Sequence, residues 1–388
     1  MTVMDWKLID DISRHATALG RGLESHGRDW LSSEQASEQP LLAAWVAHQL
    51  HVRGNIDQVL DQLPVAVQHN WLGWLSHDAG RFEQAHRHFS QAWADRSSLV
   101  GSDPLAAMPY EAQIALGLGR THLRSGHWDH ARRWLLFGLS QARRCGDEAT
   151  VYKSYGALGE LFVRASAPIQ GFACLNLAYR LLPAGSGQRA RQLNYLGTAL
   201  GRLQENLRAQ SVLMTSYHMS KDSGDTVSKW HALARLQHLG LKCPPLMSLS
   251  DLNLEELADA PELAPPVARG YWALARARSM RDTPRESACT DWFQMAWDDF
   301  GQANVPMERA WAGLWLHRHT GEPSAWTDAM SAVQALMALS PVEPPEPIGI
   351  LDLTLEQPAL PLANAFEALL HYPGTQAEWE RLDALFFV

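Results

Sequence analysis

Residues 71–92 read WLGWLSHDAGRFEQAHRHFSQA, and the fold turns on how this stretch recurs along the chain. Leu72-Gly73 is followed by Gly80 and then by Phe82, Ala85, Phe89 and Ala92. A second copy runs Leu118-Gly119, Gly126, Trp128, Ala131 and Leu135, with Gly138 where the last alanine is expected. A third reads Tyr155, Leu158-Gly159, Phe162, Gly171, Leu175, Ala178 and Pro183, and a fourth Leu193, Leu196-Gly197, Leu200, Ala209 and Leu213. Successive Leu-Gly pairs stand 46, 40 and 38 residues apart. A pattern returning at such an interval marks stacked supersecondary units, so the 388 residues need not divide into separate globular domains.

The residue types fit two antiparallel helices that cross closely: small residues stand where backbones meet, and large ones fill the space beside them. The glycine between them supplies a left-handed turn that ends the first helix. On these residues the chain resembles the tetratricopeptide repeat family, with an interval longer than the roughly 34 residues of the standard unit. It is similar in this to the extended repeats of bacterial regulators and of some adaptor proteins. The resemblance implies an all-α protein, a right-handed α-α superhelix of helix hairpins that binds partners in its concave groove. Ser76 and His122 depart from the pattern, standing where a tyrosine is usual. The rival reading is an irregular helical bundle.

Outward from the repeats, residues 1–40 are expected to form N-terminal capping helices, residues 41–240 the repeats, and residues 241–340 divergent helical pairs after a proline-rich joint. Pro244-Pro245 and Pro265-Pro266 bracket that joint, around a short acidic helix at about 252–258. Residues 341–388 read as a proline-rich extended segment and a final helix, which Thr375 and Glu378 start at capping-box spacing. Residues 348–355, IGILDLTL, are the one strand-like stretch.

Composition excludes several classes. A formal net charge of -9 is unsuited to general nucleic-acid binding. No apolar run is long enough to span a bilayer, and the first residues lack a signal-peptide pattern, so a cytoplasmic protein is expected. Cys145, Cys174, Cys243 and Cys289 are scattered, spelling neither a zinc knuckle nor a disulfide framework. Phosphate-loop, zinc-protease, nucleophile-elbow and dinucleotide motifs are missing, so no catalytic residue, metal or cofactor is assigned. His127 and His130 lie one helical turn apart but straddle a helix start. Asp298-Asp299 reads as a solvated face, since adjacent helical carboxylates diverge by about 100°.

Charge is polarised. Residues 111–210 hold 13 Lys and Arg against 6 Asp and Glu, whereas residues 251–388 hold 8 against 21. The family resemblance implies that fixed positions of each first helix line the groove. With Leu72, Leu118, Leu158 and Leu196 aligned, one such position carries Asp78, Arg124, Arg164 and Arg202, three arginines in a ladder. Neighbouring groove positions carry Lys153, Arg191, Arg120, Asn194 and Tyr195, and in the first repeat Asn70, Trp71, Trp74 and His77. Arginine with asparagine in a groove resembles a carboxylate clamp, and guanidinium forks suit carboxylates. The expected function is an adaptor or assembly factor holding an acidic segment of another protein, with no nucleic acid and no membrane. The acidic C-terminal tail is a candidate occupant of the same groove. A ligand-responsive sensor of the bacterial repeat type is the alternative, and an all-helical enzyme stands third.

Overall fold

The computed structural model describes residues 65–97, 104–182, 186, 188–242, 266–280, 288–321, 324–338, 342, 343 and 345. The expectations for residues 1–64, the proline joint, the strand-like stretch and the C-terminal helix lie outside them. Among the described residues the chain is helical: α1 (Val65–Asp78), α2 (Phe82–Ala94), α3 (Pro104–Arg124), α4 (Trp128–Cys145), α5 (Glu148–Arg164), α6 (Pro168–Leu181), α7 (Gln188–Arg202), α8 (Asn206–Ser223), α9 (Thr226–Lys242), α10 (Pro266–Met280), α11 (Cys289–Gln302), α12 (Pro306–Thr320) and α13 (Ser324–Met337). Consecutive helices pair as hairpins, α1 with α2, α3 with α4, α5 with α6, α7 with α8, α10 with α11 and α12 with α13, while α9 packs on α8 and α10.

The Leu-Gly pairs explain how each hairpin closes. A Cβ added at Gly73, Gly119 or Gly197 would lie 2.5–2.6 Å from the ring of Phe89 or the branch of Leu135 or Leu213. In each case the partner stands sixteen residues later, so the glycine lets one large side chain of the second helix drop onto the first. Gly270 against Phe300 repeats the contact between α10 and α11. Trp134, Phe89, Phe162, Phe293, Phe300 and Trp311 are fully buried along this seam.

The turns carry a second regularity. Gly80 and Gly126, eight residues after Leu72 and Leu118, have φ of 70° and 80°. At the same offset in the next two repeats the left-handed residues are Ser166 (φ 60°) and Gln204 (φ 61°). Turn geometry thus survives the loss of glycine, because packing of the two flanking helices over-determines it. Asp147 caps α5 by accepting from the Thr150 amide at 3.0 Å, and Pro168 and Pro306 occupy first-turn positions where no amide is needed.

Among the described residues, the turn between α1 and α2 meets the turn between α11 and α12. Asn304, left-handed at φ 54°, sits against Gly80, and its side-chain amide donates to the Ala79 carbonyl at 3.5 Å. Val342 and Glu343 lie on α4: the Trp134 indole donates to the Val342 carbonyl at 2.8 Å, while Arg133 and His130 contact the Glu343 carboxylate at 2.7 and 3.2 Å. The described part of the acidic tail is therefore on a second helix, outside the groove. Asp299 also differs from expectation, being 4% exposed and held by Arg269 Nε at 2.8 and 2.9 Å; the pair ties α11 to α10.

Candidate functional site

Because the solenoid curves, the inner faces of its first helices line an open cavity of about 620 Å³. Residues from α1, α3, α5, α7, α9, α10 and α12 line it, and Phe82 alone comes from a second helix. Position along the repeat explains the lining. Two residues after each aligned leucine stand Trp74, Arg120, Glu160 and Thr198, and directly after Gly270 stands Tyr271. Of these, Arg120 and Tyr271 line the cavity together with the ladder residues Asp78, Arg124 and Arg164, and Glu160 contacts Arg124 and Arg164.

The expected site residues divide sharply. His77, Arg120, Arg124, Arg164, Arg191, Asn194 and Tyr195 line the cavity. Asn70 is 3% exposed and belongs to the core, because its helix turns that face toward α2. Trp71 and Lys153 do not reach the cavity wall; Trp71 is half-buried and Lys153 is exposed elsewhere. Trp74 is half-buried, with its ring edge-on to Phe89 at 5.2 Å and to His77 at 5.7 Å. The Arg120 guanidinium stands 5.8 Å over it.

The arginine ladder is not a solvated face. Arg202 turns away and donates to the Val163 carbonyl at the end of α5; burial pushes its guanidinium down to about 9. Arg124 contacts Glu160 at 3.3 Å and Glu308 at 3.5 Å, and Arg164 contacts the same two carboxylates at 3.2 and 3.6 Å. Tyr271 donates to Glu308 at 3.0 Å. Burial alone would raise the Glu160 carboxyl, but Arg124 and Arg164 outweigh it and hold it well below the usual range. Burial likewise opposes the charge on Arg124, and Glu160, Tyr195 and Glu308 more than restore it. Four ionised groups from α3, α5 and α12 thus form one buried, mutually compensated cluster.

The sequence reading did not single out Glu160 and Glu308 within the cluster, nor Tyr271, His231, Asp225 and Arg235, which line the cavity with Glu308. Glu160 was within reach, since it fills in the third repeat the groove position that Arg120 fills in the second. Tyr271 sits in a helix joined to its partner by eight residues, against three between α1 and α2, which hides the register there. Arg235 Nε donates to Thr198 Oγ1 at 2.8 Å, with its guanidinium 5.6 Å over the Tyr195 ring. Asn194 is 2% exposed; its amide donates to the Ser228 carbonyl at 2.9 Å, and its Oδ1 has no partner in the structure. Burial pushes His77 down to about 4 and His231 well below the usual imidazole range, so both are neutral near pH 7.

A wall built from the first helix of every pair decides the architecture. The fold is a tetratricopeptide-like helical solenoid. It is similar to that of a solved Rap protein complexed with competence and sporulation factor, at a TM-score of 0.50 and 11% identity, over 85% of this chain and 95% of that one. No family model and no curated sequence matches the chain. Among the described residues no group of His, Cys, Asp and Glu is arranged to hold a metal, and no helix is long and apolar enough to cross a membrane.

Proposed function

We propose that the chain is a cytoplasmic, non-catalytic binding scaffold that holds an acidic or carboxylate-bearing segment of a protein partner inside the solenoid. The observation that carries this reading is the charge left in the cavity after internal pairing. Five arginines line the wall, and the two buried carboxylates Glu160 and Glu308 are shared by Arg124 and Arg164. Arg120, Arg191 and Arg235 make no ion pair among the described residues. Guanidinium groups lining a concave, half-open space suit an anionic guest, and Asn194 Oδ1 offers that guest's amide an acceptor. That a Rap protein of this fold was solved with a factor bound agrees with the reading. Free thiols at Cys145, Cys174 and Cys289 suit a reducing compartment.

The test is fluorescence anisotropy with a labelled Glu-rich octapeptide. Arg191→Glu should weaken binding at least tenfold, and raising salt from 50 to 300 mM should weaken it further, because a wet charged groove is screened over about 8–10 Å at physiological salt. Unchanged affinity in the variant would end the proposal. A sensor reading finds support in one further observation: Glu308 of α12 bridges to α3 and α5, helices distant from it in the chain, so a guest that competes for Arg124 or Arg164 acts directly on that contact.

A further inference from the structure

We infer that the face of α4, with the aromatic edge of α2 beside it, is a second docking surface, which takes an extended, proline-flanked apolar–acidic segment of a partner protein. The chain's own Val342-Glu343 fills it as a placeholder. His130, Arg133 and Trp134, which make the contacts, do not line the cavity, so this surface is independent of the groove.

Three grips meet two consecutive residues. The Trp134 indole donates to the Val342 carbonyl at 2.8 Å, and the Glu343 carboxylate takes Arg133 Nη1 at 2.7 Å and His130 Nε2 at 3.2 Å. His130, Arg133 and Trp134 stand at i, i+3 and i+4 of one helix and so share a face. Beside these grips the half-buried Val342 packs on the apolar cluster that holds Trp93, Trp134 and Phe137. Those three rings meet edge-on, at centroid distances of 5.0, 5.5 and 6.2 Å. The surface therefore reads one carbonyl, one apolar side chain and, a residue later, one carboxylate.

The chemistry of the occupant matches that of the surface. Residues 341–347 read PVEPPEP. Proline brings no amide hydrogen and fixes its own φ, and the residue before it is driven to extended backbone. Such a segment enters neither helix nor ladder, and it is recognised chiefly through carbonyl oxygens and side chains. The surface answers with donors: an indole N–H, a guanidinium, and an imidazole whose Nε2 carries the proton when it faces a carboxylate. Aromatic-lined surfaces hold proline-rich segments of other proteins in this way, because the preformed extended chain loses little entropy on docking. The contact is also exchangeable. Glu343 is 60% exposed, so water screens its ion pairs, and the firm hold on the tail is one indole hydrogen bond with one half-buried valine.

The experiment follows the anisotropy of a labelled peptide spanning residues 340–347, acetyl-Ser-Pro-Val-Glu-Pro-Pro-Glu-Pro-amide, titrated with the full chain. A tethered segment competes at an effective concentration in about the millimolar range. The full-length double variant Val342→Asp with Glu343→Lys, whose tail no longer fits, should therefore bind the peptide at least tenfold more tightly than the wild type. Adding Arg133→Glu to that variant should weaken binding at least tenfold, and so should lysine in place of the peptide's first glutamate. Circular dichroism and melting establish that each variant is folded before its affinity is read. No binding to the tail-released variant would reduce the tail contact to a strap of the fold and overturn the inference. Equal binding to wild type and released variant, or binding that survives Arg133→Glu, would place the peptide elsewhere and overturn it as well. Sedimentation of the wild type as a dimer that the peptide dissociates would give the surface to a second copy's tail and overturn the partner protein as its occupant.

Discussion

Glu308 stands 184 positions from Arg124 and meets it inside the solenoid, together with Arg164 and Tyr271. With side chains 4% and 8% exposed, Glu308 and Arg164 have left water, and each depends on the other's charge. Removing one partner strands a buried charge, a loss of about 3–5 kcal/mol. Glu308→Ala or Arg164→Ala should lower the urea-unfolding free energy by that order. A change below about 1 kcal/mol would show that the cluster is wet. Reversing Arg124 and Arg164 to glutamate would then set four carboxylates together and disrupt folding before binding could be read. Proton linkage gives a second residue-scale prediction. His77 is lowered to about 4 mainly by burial, so the unfolded chain, with imidazole near 6.5, binds the proton first. The stability contributed by neutral His77 is fully present above pH 6.5 and is lost as pH falls toward about 4, at up to about 1.4 kcal/mol per pH unit. His122 and His231, lowered in the same direction by burial, add to the slope. Urea midpoints measured at pH 7, 6 and 5 should fall steadily, and His77→Gln should reduce the slope. Midpoints independent of pH would contradict buried neutral imidazoles.

At the scale of the element, the constant separation of sixteen residues between crossing glycine and its large partner carries the hairpin. Gly119→Leu drives a branched side chain into Leu135 and should cost about 1–3 kcal/mol, as overpacking of a close crossing does. A thermal midpoint unchanged by the substitution would mean that Gly119 is not the crossing point. The turns predict the reverse sign: Gln204→Gly and Ser166→Gly place the permissive residue where φ is already positive, and each should raise stability by up to about 1 kcal/mol. These contrasts also show what was legible. Leu-Gly spacing, the turn glycines and the first-helix groove positions could be read because backbone crossing demands small residues at fixed offsets. The left-handed Ser166 and Gln204 could not, since nothing in either side chain announces that conformation. Nor could the direction of Arg202, whose long stem reaches a carbonyl of the preceding repeat instead of the groove. An arginine's repeat position places its Cα, and the local carboxylates then decide whether its head is free.

For the whole molecule, the last question is what keeps the curve closed. Among the described residues, three contacts join the early helices to the late ones: Asn304 at the Gly80 turn, Val342 and Glu343 on α4, and the Glu308 cluster. The first rests on an exposed asparagine, and in the second the ion pairs of Glu343 are exposed and screened, while the buried Trp134 indole holds Val342 through a neutral hydrogen bond. Among the described residues, of these three contacts Glu308 alone makes its contact through a buried charge, so its charge is the one to test. Glu308→Gln keeps the shape and one acceptor for Tyr271 while removing the charge that Arg124 and Arg164 face. Hydrogen exchange by mass spectrometry should then quicken in residues 303–312 and at the C-terminal turns of α3 and α5, with exchange in α7 and α8 unaltered. Small-angle scattering should show a larger radius of gyration for the variant than for the wild type. Arg133→Gln, which removes one of the contacts to Glu343, should change neither quantity in residues 303–312. Equal exchange and equal size in Glu308→Gln would mean that packing of consecutive helix pairs fixes the curvature alone, and the carboxylate would then serve only to neutralise its two arginines.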